Sequence, residues 1–204
     1  NFFTFSLLFY FLIKKSNKLK SKKLFFAYGW IFGFGYFSTN LYWISISLTF
    51  DQNYKFLIPL TIFLIPSFLA LFYGLISFIF LTCKPKNALG SLLWFSLIFG
   101  VIEFVRGTIL TGFPWNLIAY SFSNQLEFIS VISIIGTYGF NLLCILVFTC
   151  PAILFIKNTY RTIAFEISIF FAVILILIYG SMYKKEFNKT ADKNFNYKIR
   201  VISS

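Results

Sequence analysis

The sequence predicts an all-α polytopic membrane protein, a helix bundle, and three observations carry that prediction. Hydrophobic residues make up 59% of the chain and charged residues only 12%, with a mean hydropathy of +0.82, outside the range of a water-soluble domain. Apolar runs recur, each near the ~20 residues that a helix needs to cross ~30 Å of hydrocarbon. The 18 Lys and Arg residues gather between those runs, as loops flanking membrane spans do. A net charge of +12 alone would suggest nucleic acid, but this clustering argues against such a partner and for the lipid bilayer. No mechanistic weight falls on the 31 Phe residues.

The first run, residues 2–13, is short for a span and is expected to be the end of one that begins outside this sequence. Its basic residues follow the apolar stretch, whereas a signal peptide carries them in front. Five runs are long enough to span: 24–50, 56–81, 88–105, 126–156 and 162–183. The loop 14–23 carries six Lys, the loop 82–87 carries Lys84 and Lys86, and the loop 157–161 carries two more cations. These loops alternate and therefore share a side, with ten cations against Lys55 and Arg106 opposite, so the positive-inside rule makes that side cytoplasmic. Residues 184–200 add six cations on the other face, a conflict that is tolerated because the rule weakens over long translocated regions.

Two segments are not expected to be simple helices. The run 126–156 has 31 residues. That is about 46 Å as a helix, so its first part is expected along the interface before Gly136-Thr137-Tyr138-Gly139. The stretch 106–125 is apolar yet broken by Gly107, Gly112 and Pro114, and non-helical backbone at membrane depth needs protein or a cavity around it. Gly29 and Gly33 form a small-xxx-small pair that predicts close helix approach, and Trp43, further along that helix, suits headgroup anchoring. The expected organisation is a membrane domain over 1–183, a basic juxtamembrane linker over 184–196, and a strand over 197–204 whose sheet lies outside this sequence.

Chemistry concentrates in Glu103-Phe104-Val105-Arg106-Gly107, continued by Thr111-Gly112-Phe113-Pro114-Trp115. An ionised side chain at bilayer depth costs ~2.5–3.5 kcal/mol or more, so it normally faces a partner, a bundle interior or a wet cavity. Glu103 and Arg106 are three apart, which puts them on one helix face where they neutralise each other. The chain has no histidine, which excludes His-based acid/base chemistry and His metal sites. Cys83, Cys144 and Cys150 have neither zinc nor disulfide-framework spacing and read as small hydrophobes packed among helices. No cofactor or metal is implied.

At these residues the chain resembles the apolipoprotein N-acyltransferase family of the bacterial inner membrane. The resemblance rests on Glu103 to Gly107, on Leu110 to Trp115 with Tyr120-Ser121, on Gly29-Trp30-Ile31-Phe32-Gly33-Phe34-Gly35 leading to Trp43, and on Gly136 to Gly139. It implies an eight-span bundle carrying an αββα nitrilase-like domain on the periplasmic side, of which residues 198–204 resemble the first strand. It further implies that a cysteine thiolate in that domain, with a glutamate base and a lysine, takes an acyl chain from a membrane phospholipid. The thioester is then attacked by the α-amine of a diacylglyceryl apolipoprotein, a ping-pong route that suits two lipid substrates. That Cys-Glu-Lys set would lie beyond Ser204, so none of the catalytic residues is assigned to this chain, which by itself is expected to be inactive.

The residues that the resemblance brings forward for substrate binding are Trp43, Glu103, Arg106, Trp115 and Tyr120. Each also has a structural reading: an ion pair closing a span, a supporting turn, aromatic anchors at the headgroup level. Two other functions fit parts of the pattern, a small transporter or channel with charges inside the membrane, and a non-catalytic membrane scaffold.

Overall fold

A computed structural model describes residues 2–18, 21–109, 112, 114–156 and 159–191 of the chain. Its helices are α1 (Phe2–Ser16), α2 (Lys22–Ser47), α3 (Ile58–Thr82), α4 (Ala88–Thr108), α5 (Leu126–Ile129), α6 (Ile132–Thr149), α7 (Ala152–Ile156) and α8 (Tyr160–Ala191). Two 3₁₀ turns, Gln52–Leu57 and Ile118–Phe122, lie in the connections, and the described residues contain no strand. The structure is thus all-α, and four segments, 52–82, 88–108, 132–156 and 160–190, are long and apolar enough to cross a membrane. The fifth expected span, α2, has 26 residues but is interrupted by Ser38, Thr39, Asn40, Ser45 and Ser47, so it is not among those four.

Local chemistry sets the boundaries. Asn87 caps α4, its side-chain oxygen accepting from the Gly90 amide at 2.6 Å, and Asp51 opens the first 3₁₀ turn by accepting from the Asn53 amide at 2.9 Å. Pro59 sits in the first turn of α3, where its missing N–H costs nothing. The run 126–156 is broken into α5, α6 and α7, as its excess length demanded. Gly136, with φ 71° and ψ 169°, kinks the start of α6 in a conformation that side chains with a Cβ avoid.

One aromatic core joins α1, α3 and α4. Phe5 meets Phe99 edge-on at 5.2 Å between ring centres, Tyr73 meets Phe99 at 4.8 Å, and Phe9 meets Phe95 at 5.3 Å. On α1 the buried residues Phe5, Leu8, Phe9 and Leu12 fall at helical spacing, so one stripe supplies the contact. Helices α2 and α3 pack along their length, and the glycines make this possible. A Cβ on Gly29 would collide with the Tyr73 carbonyl oxygen and the Ser77 side chain, and one on Gly33 would lie 2.8 Å from the Tyr73 Cβ. Gly35 faces open space and belongs to no such contact. Cys144 and Cys150 are buried as expected, but Cys83 is exposed, because α3 ends at Thr82 and leaves it at the cap.

Contacts between connections sort the molecule into two ends. Lys84 Nζ donates to Ser16 Oγ at 2.7 Å, bringing the α1–α2 and α3–α4 connections together. At the other end Trp43 stacks on Trp115, and Lys184 pairs with Glu127 at 2.6 Å. Helix α8 packs mainly on α5 and α7, and its Tyr179 hydroxyl lies 3.2 Å from Ser133 Oγ of α6. It runs on to Ala191, so residues 184–191 of the expected linker are helical, while the expected strand 197–204 lies outside the described residues.

Two outcomes follow from this packing. Gly29→Ala, which must displace backbone, is expected to cost about 1–3 kcal/mol of stability, seen as a lower melting temperature in detergent, whereas Gly35→Ala is neutral or slightly stabilising. In a background lacking the native cysteines, Ser21→Cys and Glu186→Cys are expected to react with an impermeant maleimide from opposite faces of a sealed vesicle. Labelling of both from one face would contradict the two-ended arrangement.

Candidate functional site

The site begins as the last two turns of the buried stripe on α4. Leu92, Phe95, Phe99, Glu103 and Arg106 recur three or four residues apart, so the face that packs the apolar core carries the two charges inward at its end. Glu103 is 0% exposed and Arg106 2%. The pair is two-pronged: Arg106 Nη2 donates to Glu103 Oε2 at 2.6 Å and Nε donates to Oε1 at 3.3 Å. The expectation of mutual neutralisation is met by this geometry. The guanidinium also lies 5.4 Å from the centre of the Phe37 ring, so an aromatic face of α2 covers the cation. Tyr73 of α3 lies in the field of Glu103, although its buried hydroxyl makes no hydrogen bond of good geometry.

Arg106 uses its remaining reach on backbone. Its Nη1 donates to the Trp115 carbonyl at 3.2 Å, which ties the end of α4 to the chain that follows. That chain leaves the helix at Ile109 in extended conformation and turns at Gly112, where φ is +76°. Gly107 is needed in the preceding turn, since the Tyr138 hydroxyl occupies the place of a Cβ there. Asn116 adopts a φ of 58°, a left-handed conformation that Asn tolerates better than most residues. Two further side chains hold the same segment: Tyr36 of α2 donates to the Asn116 carbonyl at 3.1 Å, and Asn141 of α6 accepts from the Ala119 amide at 3.0 Å. Three helices therefore fix one non-helical segment, and Leu117, Ile118 and Ala119 are buried by it. This is the protein surround that broken backbone at membrane depth requires.

Of the five residues expected at a binding site, four come together. Trp43 and Trp115 stack with ring centres 5.3 Å apart and planes 12° apart, and Trp115 is bonded through its carbonyl to Arg106, which holds Glu103. Both indoles are partly exposed at the end of the bundle. Tyr120 lies on the following 3₁₀ turn with its side chain exposed, and no described contact joins that side chain to the other four. Sequence reasoning missed Tyr36, Phe37, Tyr73 and Asn141. Asn141 had a signal, an amide in an apolar run, and Tyr36 precedes Trp43 by seven residues, two turns of the same face.

Beside the pair lies an apolar groove of about 490 Å³, lined by Leu64, Ile65, Phe68, Leu69 and Phe72 of α3, by Ile109, and by Arg106 at its polar edge. A groove of this size and character offers room for a flexible apolar chain. The described residues contain no cluster of metal-ligating side chains.

Helices long and apolar enough to cross a membrane, with a sealed ion pair, a braced loop and an apolar groove at one end, define a multi-span membrane domain. A family model described as the apolipoprotein N-acyltransferase N-terminal domain matches residues 2–150, and the chain belongs to that family. An apolipoprotein N-acyltransferase of Brucella melitensis is 39% identical over 127 residues, 62% of this chain and 24% of that protein. One of Rhizobium etli is 36% identical over 138 residues, covering 67% of the chain and 26% of the relative. One of Rickettsia typhi is 34% identical over 181 residues, covering 88% and 35%. The chain thus spans about a quarter to a third of the length of these curated relatives.

The ion pair yields a coupling prediction. Glu103→Gln or Arg106→Gln leaves one buried charge uncompensated, a loss of about 3–5 kcal/mol, while the double substitution removes both charges together. Folded yield in membranes is expected to fall sharply in each single variant and to recover partly in the double variant. Strictly additive losses would show that the two charges act separately.

Proposed function

We propose that the chain is the membrane domain of an enzyme that moves an acyl chain from a phospholipid to the amine of a diacylglyceryl cysteine at an apolipoprotein N-terminus. Membership of the family supports the reading, and the observation that carries it is the apolar groove lined by α3, Ile109 and Arg106, whose guanidinium is bonded to the carbonyl of Trp115. In this reading the groove holds a lipid acyl chain along α3. The two indoles form a wall that faces the headgroup region, Tyr120 stands exposed on the following 3₁₀ turn, and Glu103–Arg106 fixes the loop that presents Trp115.

The chemistry is assigned to a domain outside these residues. There a carboxylate base takes the proton of a cysteine thiol, the thiolate attacks the ester carbonyl of the phospholipid, and the ester C–O bond breaks as the base returns that proton to the departing lysophospholipid oxygen, leaving a thioester. The α-amine of the acceptor then attacks the thioester, its proton passing to a carboxylate base, and the thiolate leaves. The chain's own cysteines are unsuited to that role. Cys144 and Cys150 are buried among apolar side chains, and Cys83 lies at the end of α3 remote from Arg106. With the lysine-bearing connections in the cytoplasm, the Trp43–Trp115 end faces the periplasm. A transporter reading has less support, because the charge pair is sealed and the adjoining groove is apolar.

The test uses a phospholipid with a clickable acyl chain, followed by detection of hydroxylamine-sensitive label on protein. Label is expected on a full-length protein bearing this membrane domain and not on residues 1–204 alone. In the full-length protein, Trp43→Ala or Trp115→Ala is expected to slow labelling about two- to ten-fold, the worth of one aromatic stack, with folded yield maintained. Thioester on Cys83, Cys144 or Cys150, or unaltered labelling in both Trp variants, would refute the assignment.

A further inference from the structure

The end of the molecule opposite the tryptophans carries a second built cavity that the proposed reaction does not use. It measures about 340 Å³ and is lined by Ser16 at the end of α1, Lys22 at the start of α2, Leu81 and Thr82 at the end of α3, and Lys84 in the following turn. Its two cations are held in place rather than free. Lys84 Nζ donates to Ser16 Oγ at 2.7 Å and to Asn17 Oδ1 at 3.4 Å, while Lys22 Nζ lies 5.7 Å from the centre of the Phe78 ring. Burial lowers the Lys84 pKa, and none of its hydrogen-bond partners is anionic. Residues 1–50 and 52–102 contain no Asp or Glu, whereas Lys14, Lys15, Lys18, Lys22, Lys23, Lys84 and Lys86 all cluster at this end.

A site with two oriented ammonium groups and an apolar floor at Leu81 is complementary to a phosphate that carries apolar chains. We propose that this pocket binds the headgroup phosphate of an anionic phospholipid from the leaflet at the lysine-rich end. The lipid's phosphate bridges Lys22 and Lys84, and its acyl chains run down the outer surface of α3. Position decides between lipid and free anion: Phe78 and Leu81 continue directly into the exposed apolar face of α3 at Leu75 and Leu71, so a phosphate seated here has hydrocarbon immediately beneath it. Occupancy would pin α1, α2 and α3 together at this end, much as the ion pair does at the other.

The experiment is native mass spectrometry of the full chain from micelles doped with phosphatidylglycerol, with phosphatidylcholine, or with millimolar inorganic phosphate. A phosphatidylglycerol adduct is expected to survive activation that strips phosphatidylcholine, an arm that needs no variant. Lys22→Gln with Lys84→Gln is expected to weaken that adduct about thirty-fold, each lysine contributing as one basic residue near an anionic surface. Lys22→Arg with Lys84→Arg retains it. Lys14→Gln with Lys15→Gln removes equal charge from side chains that lie over the Tyr10 and Phe11 rings, outside the pocket, and is expected to leave it nearly unchanged. Equal loss in that control would show diffuse attraction in place of a site. Equal retention of phosphatidylcholine, or displacement of phosphatidylglycerol by inorganic phosphate, would overturn the lipid assignment.

Discussion

The two-pronged contact between Glu103 and Arg106 is the point from which the functional end of the molecule is organised. A carboxylate and a guanidinium buried in an apolar bundle are stable only together, and their 2.6 Å contact consumes the charge that neither hydrocarbon nor core accepts. The guanidinium has donors left over after serving the carboxylate. One of them reaches the Trp115 carbonyl, so the electrostatic requirement of α4 becomes a positional constraint on the loop after it. With Tyr36 and Asn141 holding neighbouring peptides, the loop is fixed from three helices, and the Trp115 indole is delivered onto Trp43.

That delivery depends on how closely the helices approach. Gly29 and Gly33 let α2 lie against the backbone of α3 at Tyr73 and Ala70, and this sets where Tyr36, Phe37 and Trp43 arrive along α2. Phe37 then covers the Arg106 cation, and Trp43 lies at the height of the loop. Without a hydrophobic drive between helices in lipid, such small-residue contact and aromatic packing supply the association. The Phe-rich core joining α1, α3 and α4 does the same work for the rest of the bundle.

The two ends of the molecule differ in how they handle charge. At the tryptophan end Glu103 is paired with Arg106 and Glu127 with Lys184. At the lysine end the side chains of Lys14, Lys15, Lys22 and Lys84 rest on hydroxyls and rings. A single chain therefore presents a neutralised surface beside the apolar groove and a cationic surface at the other end.

The sequence by itself determined the class of fold and the identity of the central pair. Helical spans are legible because every backbone amide in hydrocarbon must be satisfied within its own segment, so length and apolarity suffice. Glu103 and Arg106 are legible because charge in such a run demands a partner three or four residues away. The break at Gly136 followed from excess length, and the α2–α3 contact from glycine spacing. Tertiary structure alone decided which distant groups met: that Trp115 stacks on Trp43, that Arg106 spends a donor on a carbonyl nine residues on, that Tyr36 and Asn141 hold the loop, and that Tyr120 stands apart. It also decided that Lys84 meets Ser16 across 68 residues and that Cys83 is left exposed. Local periodicity reports which face a residue occupies, but not which other face lies opposite, because that is settled by helix approach and loop path together.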